Sequence, residues 1–85
     1  MSQVHYIKLR FEYAAAVLCG DKNFEIRYND RGYQKGDRVR FSVVDEEGNR
    51  MNHELNHAMF EISYLIHGYG LKDDWCVFGL KKLAD

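Results

Sequence analysis

Apolar and polar positions along the chain follow first a strand period and then a helix period. Residues 4–9 alternate, which places His5, Ile7 and Leu9 on one face of a short strand. Apolar positions then recur at helical spacing, at Phe11, Ala14, Ala15 and Leu18. Gly20 follows as the residue that commonly ends a helix in a left-handed conformation. This pattern predicts one strand followed by one helix of about nine residues.

Alternation with a period of two predicts four further strands. In residues 24–28, Phe24, Ile26 and Tyr28 alternate with Glu25 and Arg27, which is typical of a half-buried strand with its apolar face on the core. The next two strands present one apolar face each, formed by Val39, Phe41 and Val43 and by Ala58, Phe60, Ile62, Tyr64 and Ile66. A last strand is predicted over residues 75–80, and turn chemistry rich in Gly, Asn and Asp separates the strands.

One helix and about five strands joined by tight turns indicate the α+β class. The 85 residues, 1–85, are too few for two cores, so we expect a single domain. A sheet this small covers its edges most easily by curling into a β-barrel, with the helix at one end.

Composition excludes several classes of protein. With 46% apolar and 14% aromatic residues, the chain is too hydrophobic to be disordered. A net charge of -1 excludes a histone-like cationic chain. The charge is nevertheless uneven, because residues 1–42 hold eight basic and five acidic residues (+3) and residues 43–85 hold four and eight (-4). A basic surface is therefore expected in the N-terminal half.

No segment suggests a membrane or an oxidising compartment. The longest apolar runs fall far short of the roughly 18–20 residues that span a bilayer, and the first ten residues contain no stretch of signal-peptide length. Cys19 and Cys76 are too few for a disulfide framework or a zinc knuckle. We expect a cytoplasmic protein with two reduced thiols, no cofactor and no membrane partner.

Residues 53–57 spell the H-E-x-x-H motif of zinc peptidases. That motif needs a helix, so that two histidines one turn apart share a face. A turn at Gly48 and a strand pattern from Ala58 leave no room for a long helix, and a third ligand would have to come from Asp73 or Asp74. We interpret the motif as accidental surface histidines and predict no metal site.

The segment from Gly20 to Arg31 is the better candidate site. Strand geometry puts Glu25 and Arg27 on one side, with Lys22 just before the strand. Lys and Arg donate to phosphate or carbonyl oxygens, while a carboxylate accepts from an amino group or a ribose hydroxyl. The predicted binding residues are Lys8, Lys22, Glu25, Arg27, Asn29 and Arg31. The alternative is a solvated strand face with an ordinary ion pair.

Aromatic residues near the predicted turns lie among basic residues, and they comprise Tyr28, Tyr33, Tyr69 and Trp75. Nucleic-acid bases stack on such rings while cations hold the phosphate backbone. The alternative is that the rings close the ends of a barrel.

The block Gly20–Arg27 resembles the G-x-K-x-x-E-x-R motif of ASCH domains (activating signal cointegrator homology), which have a PUA-like β-barrel fold. Gly20, Lys22, Glu25 and Arg27 match the motif position by position. The continuation over residues 28–31, the Gly-Asp pair at 36–37 and the opening residues 5–8 are similar to a small bacterial and phage branch with no assigned activity. The resemblance covers roughly residues 5–82.

This resemblance implies a PUA-like barrel that binds RNA or a modified nucleoside. One ASCH group is an amidohydrolase that removes the acetyl group of N4-acetylcytidine with a Lys, a Thr and a distant Glu. Lys22 matches that Lys, but Glu25 occupies the Thr position, and Asp73 and Asp74 are the nearest candidates for the distant acid. A carboxylate cannot form the same acyl intermediate, although it can act as a general base.

The sequence therefore predicts an RNA- or nucleoside-binding module. In the alternative of a small amidohydrolase, Lys22 and Glu25 are the catalytic residues. A third alternative is a non-catalytic protein-interaction adaptor, which requires an exposed apolar patch elsewhere.

Overall fold

The computed structural model describes residues 2–84, so that Met1 and Asp85, the ends of the predicted domain, lie outside the described residues. In chain order the elements are β1 (Val4–Arg10), α1 (Phe11–Cys19), β2 (Phe24–Tyr28), β3 (Arg38–Val44), a 3-10 turn (Glu54–His57), β4 (Met59–His67) and β5 (Trp75–Lys82). The α+β prediction, with one helix after the first strand and five strands, is confirmed.

The five strands form one sheet in the order β1-β3-β4-β5-β2. The β1–β3 pair is parallel and the other three pairs are antiparallel. Although β1 and β2 are the two edges of this sheet, the Arg27 side chain of β2 reaches the Lys8 carbonyl of β1. The sheet therefore curls into a half-barrel, and the two edge strands face each other across an open seam.

The core lies inside the curl and is filled by the inward faces of the strands. Its buried strand residues are Ile7, Leu9, Val39, Phe41, Val43, Phe60, Ile62, Cys76, Phe78 and Leu80. The helix contributes Ala14 and Val17, with Leu18 packed beside them. The predicted helix stripe is thus partly wrong, because Phe11 and Ala15 are exposed. Packing through the small side chain of Ala14 lets α1 approach β1, β3 and the 3-10 turn closely.

The two faces of β2 are reversed relative to the sequence prediction. Phe24, Ile26 and Tyr28 are 41%, 51% and 51% exposed, whereas Glu25 is only 3% exposed. Glu25 lies directly opposite Phe78 of β5, and residues directly opposite each other share a face. Because Phe78 is in the core, Glu25 must also point inward. The alternating pattern shows which residues of β2 share a face. It does not show which of the two faces of an edge strand points into the core.

The alternating face of β4 ends at Ile62. The pairing register with β5 shifts by one residue between Ile62 and Leu65, which is a β-bulge. The extra residue reverses the faces beyond it, so Leu65 packs against the core while Tyr64 and Ile66 are exposed. The predicted single apolar face over residues 58–66 is therefore wrong after Ile62.

A buried polar pair ties β1 to the loop before β3. The Nε2 atom of His5 lies 2.8 Å from Oδ2 of Asp37, and both side chains are almost fully buried. Asp37 also accepts hydrogen bonds from the backbone N–H groups of Gln3 and Gln34. Burial by itself raises the pKa of Asp37, but the hydrogen bonds from His5 and from the two backbone groups outweigh it, so the net pKa is lowered.

Among residues 2–84, no helix is both long enough and apolar enough to cross a membrane.

Candidate binding pocket at the open seam

A concave pocket of about 630 Å³ lies along the seam between β1 and β2. This volume falls within the range of roughly 300–1,000 Å³ that is typical of small-ligand sites. Residues from β1, α1, the connection between α1 and β2, β2, the loop after β2 and the start of β5 line it, namely Lys8, Leu9, Arg10, Tyr13, Lys22, Phe24, Glu25, Ile26, Arg27, Tyr28, Asp30, Arg31, Tyr33 and Trp75. The segment singled out from the sequence forms one wall of this pocket.

The connection between α1 and β2 places Lys22 at the mouth of the pocket. Gly20 ends the helix with a φ of 90°, a conformation that a residue with a side chain rarely adopts. The N–H of Lys22 then donates to the Ala16 carbonyl at 2.9 Å, which folds the chain back along the helix. The N–H of Leu80 donates to the Asn23 carbonyl at 2.8 Å and aligns the start of β2 with β5.

Glu25 holds the two neighbouring cations from the inside. Its carboxylate is 4% exposed, and one oxygen accepts a hydrogen bond from Nζ of Lys22. The other oxygen accepts from Nε of Arg27 at 2.8 Å. Lys22 also donates to the Phe24 carbonyl at 2.9 Å. A buried carboxylate requires such partners. The result is a cluster of net charge +1 whose two cations are held in fixed positions before any ligand arrives.

Two arginines cross the seam and take the place of a neighbouring strand. Arg27 donates through Nη2 to the Lys8 carbonyl, and Arg31 donates through Nη1 to the Tyr6 carbonyl at 2.9 Å. These carbonyls lie on the free edge of β1, which has β3 on its other side. The guanidinium groups therefore satisfy acceptors that an edge strand otherwise leaves to water.

Asn29 has a different place from the other predicted site residues. Its side-chain oxygen accepts a hydrogen bond from the Tyr33 N–H at 2.8 Å, and its own N–H donates to the Asp74 carbonyl at 2.7 Å. It lines a second pocket of about 380 Å³ together with Asp73 and Asp74. Asn29 shapes the loop that carries Arg31 across the seam.

The structure thus brings five of the six predicted residues to the seam pocket, which are Lys8, Lys22, Glu25, Arg27 and Arg31. Asp73 and Asp74, the candidates for a distant catalytic acid, line the other pocket, whose lining does not include Lys22.

Aromatic side chains border the pocket at both ends of β2. Tyr28, which ends the strand, packs edge-to-face against Trp75 with ring centroids 6.2 Å apart. Near the beginning of the strand, Nζ of Lys22 lies 5.1 Å from the ring centroid of Phe24 and 5.7 Å from that of Tyr13. Tyr69, in contrast, is 93% exposed and lies outside both pockets.

Tyr33 supplies a buried phenol to the pocket lining. It packs against His5 and Phe78 with centroid distances of 4.7 and 5.0 Å. Burial raises the pKa of Tyr33, and the opposing charges of Arg31 and Arg27 only partly offset this effect. Its hydroxyl therefore stays protonated at neutral pH and can donate a hydrogen bond.

Sequence reasoning missed Arg10 and Tyr13 as lining residues. Both lie at the junction of β1 and α1, and no local pattern shows that this junction faces β2. With them included, five cations and two carboxylates line the pocket, although Arg10 is paired with Glu12 at 2.6 Å. The pocket therefore has a positive potential even after its internal ion pairs are counted.

The H-E-x-x-H segment does not form the helix that a zinc peptidase needs. Glu54–His57 is a single 3-10 turn, and Nδ1 of His53 accepts a hydrogen bond from the Leu55 N–H at 3.0 Å. Within the described range, 2–84, no group of three or more His, Cys, Asp or Glu side chains is arranged to hold a metal ion.

A protein-family model described as a domain of unknown function, DUF3850, matches residues 4–80. The chain belongs to the DUF3850 family. The matched range of this DUF3850 domain contains every residue that lines the seam pocket. A search of curated proteins found no match.

Proposed function

We propose that this DUF3850 domain binds RNA, or a modified nucleoside within RNA, in the seam pocket. The observation that carries the proposal is the fixed pair of cations, Lys22 and Arg27, which a buried Glu25 holds in a positively charged pocket bordered by aromatic rings. The match to the ASCH motif supports the same function. A curled five-stranded sheet with one helix after the first strand is also compatible with a PUA-like barrel.

Each part of the pocket suits one part of a nucleotide. The N–H groups of Lys22 and Arg27 that are bonded neither to Glu25 nor to the Phe24 and Lys8 carbonyls can donate to a base carbonyl or a phosphate. A base can stack on the exposed rings of Tyr28 or Trp75, at about 1–3 kcal/mol for each base. The protonated hydroxyl of Tyr33 adds a group that can donate to a base carbonyl or accept from an amino group.

The fluorescence of Trp75, the single tryptophan, provides a direct binding assay. We expect single-stranded RNA to quench it. Lys22→Ala and Arg27→Ala should each weaken binding about tenfold, which corresponds to one charge-assisted hydrogen bond of about 1.5 kcal/mol. Each should also lower the salt dependence of the affinity. Lys35→Ala is the control, because Lys35 is exposed and lines neither pocket. If both pocket variants bind RNA as the wild type does, the proposed site is wrong.

The amidohydrolase alternative has less support from the geometry. Cations occupy both carboxylate oxygens of Glu25, whereas a general base must present an oxygen to the attacking water. Incubation with N4-acetylcytidine tests this alternative. Release of acetate by the wild type, and its loss in Lys22→Ala, would identify an enzyme and replace the binding proposal.

One observation favours the adaptor alternative. The outward residues Ile26, Val77 and Ile66 lie side by side on β2, β5 and β4, and Ile26 and Ile66 are 51% and 40% exposed. Such a row can contact another protein. An adaptor that uses it would lose its partner in Ile66→Ser and keep it in Lys22→Ala, which is the reverse of the pattern expected for RNA binding, because Ile66 lines neither pocket.

A further inference from the structure

The outward face of the parallel pair β1–β3 carries a cluster of basic residues. Alternate residues of both strands are buried in the core, so the residues between them point outward. Tyr6 lies opposite Arg40 in the pairing register, Lys8 lies opposite Ser42, and Arg38 is two residues before Arg40. We call Lys8, Arg38, Arg40 and the ring of Tyr6 the basic face.

No ion pair within residues 2–84 neutralises these cations. The four pairs in that range involve other residues. The nearest acid in the register is Glu61 of β4, which lies opposite Arg38 without forming an ion pair with it. Nε of Arg40 is buried and has no hydrogen-bond partner. The basic face therefore has a net positive charge, limited on one side by Glu61.

We propose that the basic face binds the phosphodiester backbone of a single-stranded nucleic acid whose base occupies the seam pocket. Lys8 belongs to both surfaces, because it lines the pocket and lies on the basic face. A strand can therefore continue from the pocket onto β1 and β3 without crossing an acidic region. This inference rests on the proposed function and specifies its ligand as a polynucleotide rather than a free nucleoside.

An exposed aromatic ring among cations distinguishes a nucleic acid from an acidic peptide as the ligand. Tyr6 is 64% exposed and lies beside Arg40. Its ring offers a surface on which a base can stack, while the cations on either side contact phosphates. An acidic peptide would use the cations and would gain little from the ring. Because phosphodiesters are the recognised groups, RNA and DNA strands of one sequence should depend equally on the basic face.

The test compares a short and a long ligand. A trinucleotide fills the pocket alone, whereas a strand of about 12 nucleotides also reaches the basic face. Fluorescence titrations between about 50 and 200 mM salt measure both affinity and salt slope. In R38Q/R40Q we expect the long strand to bind about tenfold more weakly, with a slope smaller by about 1.4 for two lost phosphate contacts. Binding of the trinucleotide should not change.

Controls separate charge from folding. K82Q removes a cation from the end of β5, away from the basic face, and should leave both ligands unaffected. R40K keeps the charge and should retain most of the affinity, and unchanged trinucleotide binding by R38Q/R40Q excludes misfolding as the cause of its loss. Y6A should weaken the long strand roughly tenfold through lost stacking.

Two results would overturn the inference. One is that R38Q/R40Q binds the long strand with the same affinity and salt slope as the control variant K82Q. The other is that an oligoglutamate binds as tightly as the nucleic acid and that Y6A weakens neither ligand, which would indicate an acidic protein partner. A different result would show that the seam pocket is not the base-binding site. In that case Lys22→Ala would leave trinucleotide binding unchanged, while R38Q/R40Q would still weaken binding of the long strand.

Discussion

Substitution of Glu25 by Gln tests whether the buried carboxylate holds the seam together. The side chain keeps its shape, but it changes from an acceptor with two charged partners to an amide that can accept from only one of them. A hydrogen bond to a charged group contributes about 1.5–3 kcal/mol. Lys22 and Arg27 are 20% and 25% exposed and can partly rehydrate, so the lower part of the range applies. We expect a loss of about 2 kcal/mol in the free energy of unfolding.

This loss corresponds to a fall in the melting temperature of about 8–16 °C for a domain of this size. Urea denaturation followed by circular dichroism measures the free energy directly. A double-mutant cycle with Arg27→Gln should give a coupling energy of about 1 kcal/mol or more, because the two side chains are in contact. A change below about 0.5 kcal/mol in Glu25→Gln, which is typical of a neutral surface position, would show that the network does not stabilise the fold.

Three other substitutions test separate parts of the structure. Arg31→Gln removes the hydrogen bond to the Tyr6 carbonyl on the edge of β1 and should speed amide hydrogen exchange in β1 about fivefold, which corresponds to about 1 kcal/mol. Unchanged exchange would show that this arginine does not close the seam. The pKa of Asp37 is lowered in the folded state, so the stabilisation that its carboxylate provides is complete above the unfolded pKa and is lost as the pH falls below about 4. The urea midpoint of the wild type should therefore fall in acid, and that of Asp37→Asn should fall less. Gly20→Ala should cost about 1 kcal/mol in urea denaturation because of its positive φ, and an equal midpoint would contradict the left-handed end of α1.

Local periodicity was sufficient to predict the elements but not the orientation of β2. The inward positions of β1 and β3 follow from alternation because both strands carry polar residues on the other face. In β2 the apolar residues point outward, because the inward carboxylate of Glu25 is paired with Lys22 and Arg27. The stabilising partners of Glu25 come from tertiary geometry, which alternation does not contain.

The candidate site could be predicted as a set of residues but not as a shape. The motif spacing led to Lys22 and Arg27, and both line the pocket. The seam itself depends on the strand order, in which β1 and β2 are the two edges, and no local pattern encodes that order. Asn29 illustrates the consequence, because its polarity suggested a ligand contact and the structure uses its side chain to hold the Tyr33 N–H.

The most direct test of RNA binding in the seam pocket is an NMR titration of isotope-labelled protein with single-stranded RNA of mixed sequence. We expect amide shifts to cluster at residues 8–10 and 22–31 and to be reduced in Lys22→Ala. The control variant Lys35→Ala should reproduce the wild-type shifts. Shifts that are absent from these two segments, or that concentrate on Val77 and Ile66 of the outward row without a response from Lys22, would contradict RNA binding in this pocket.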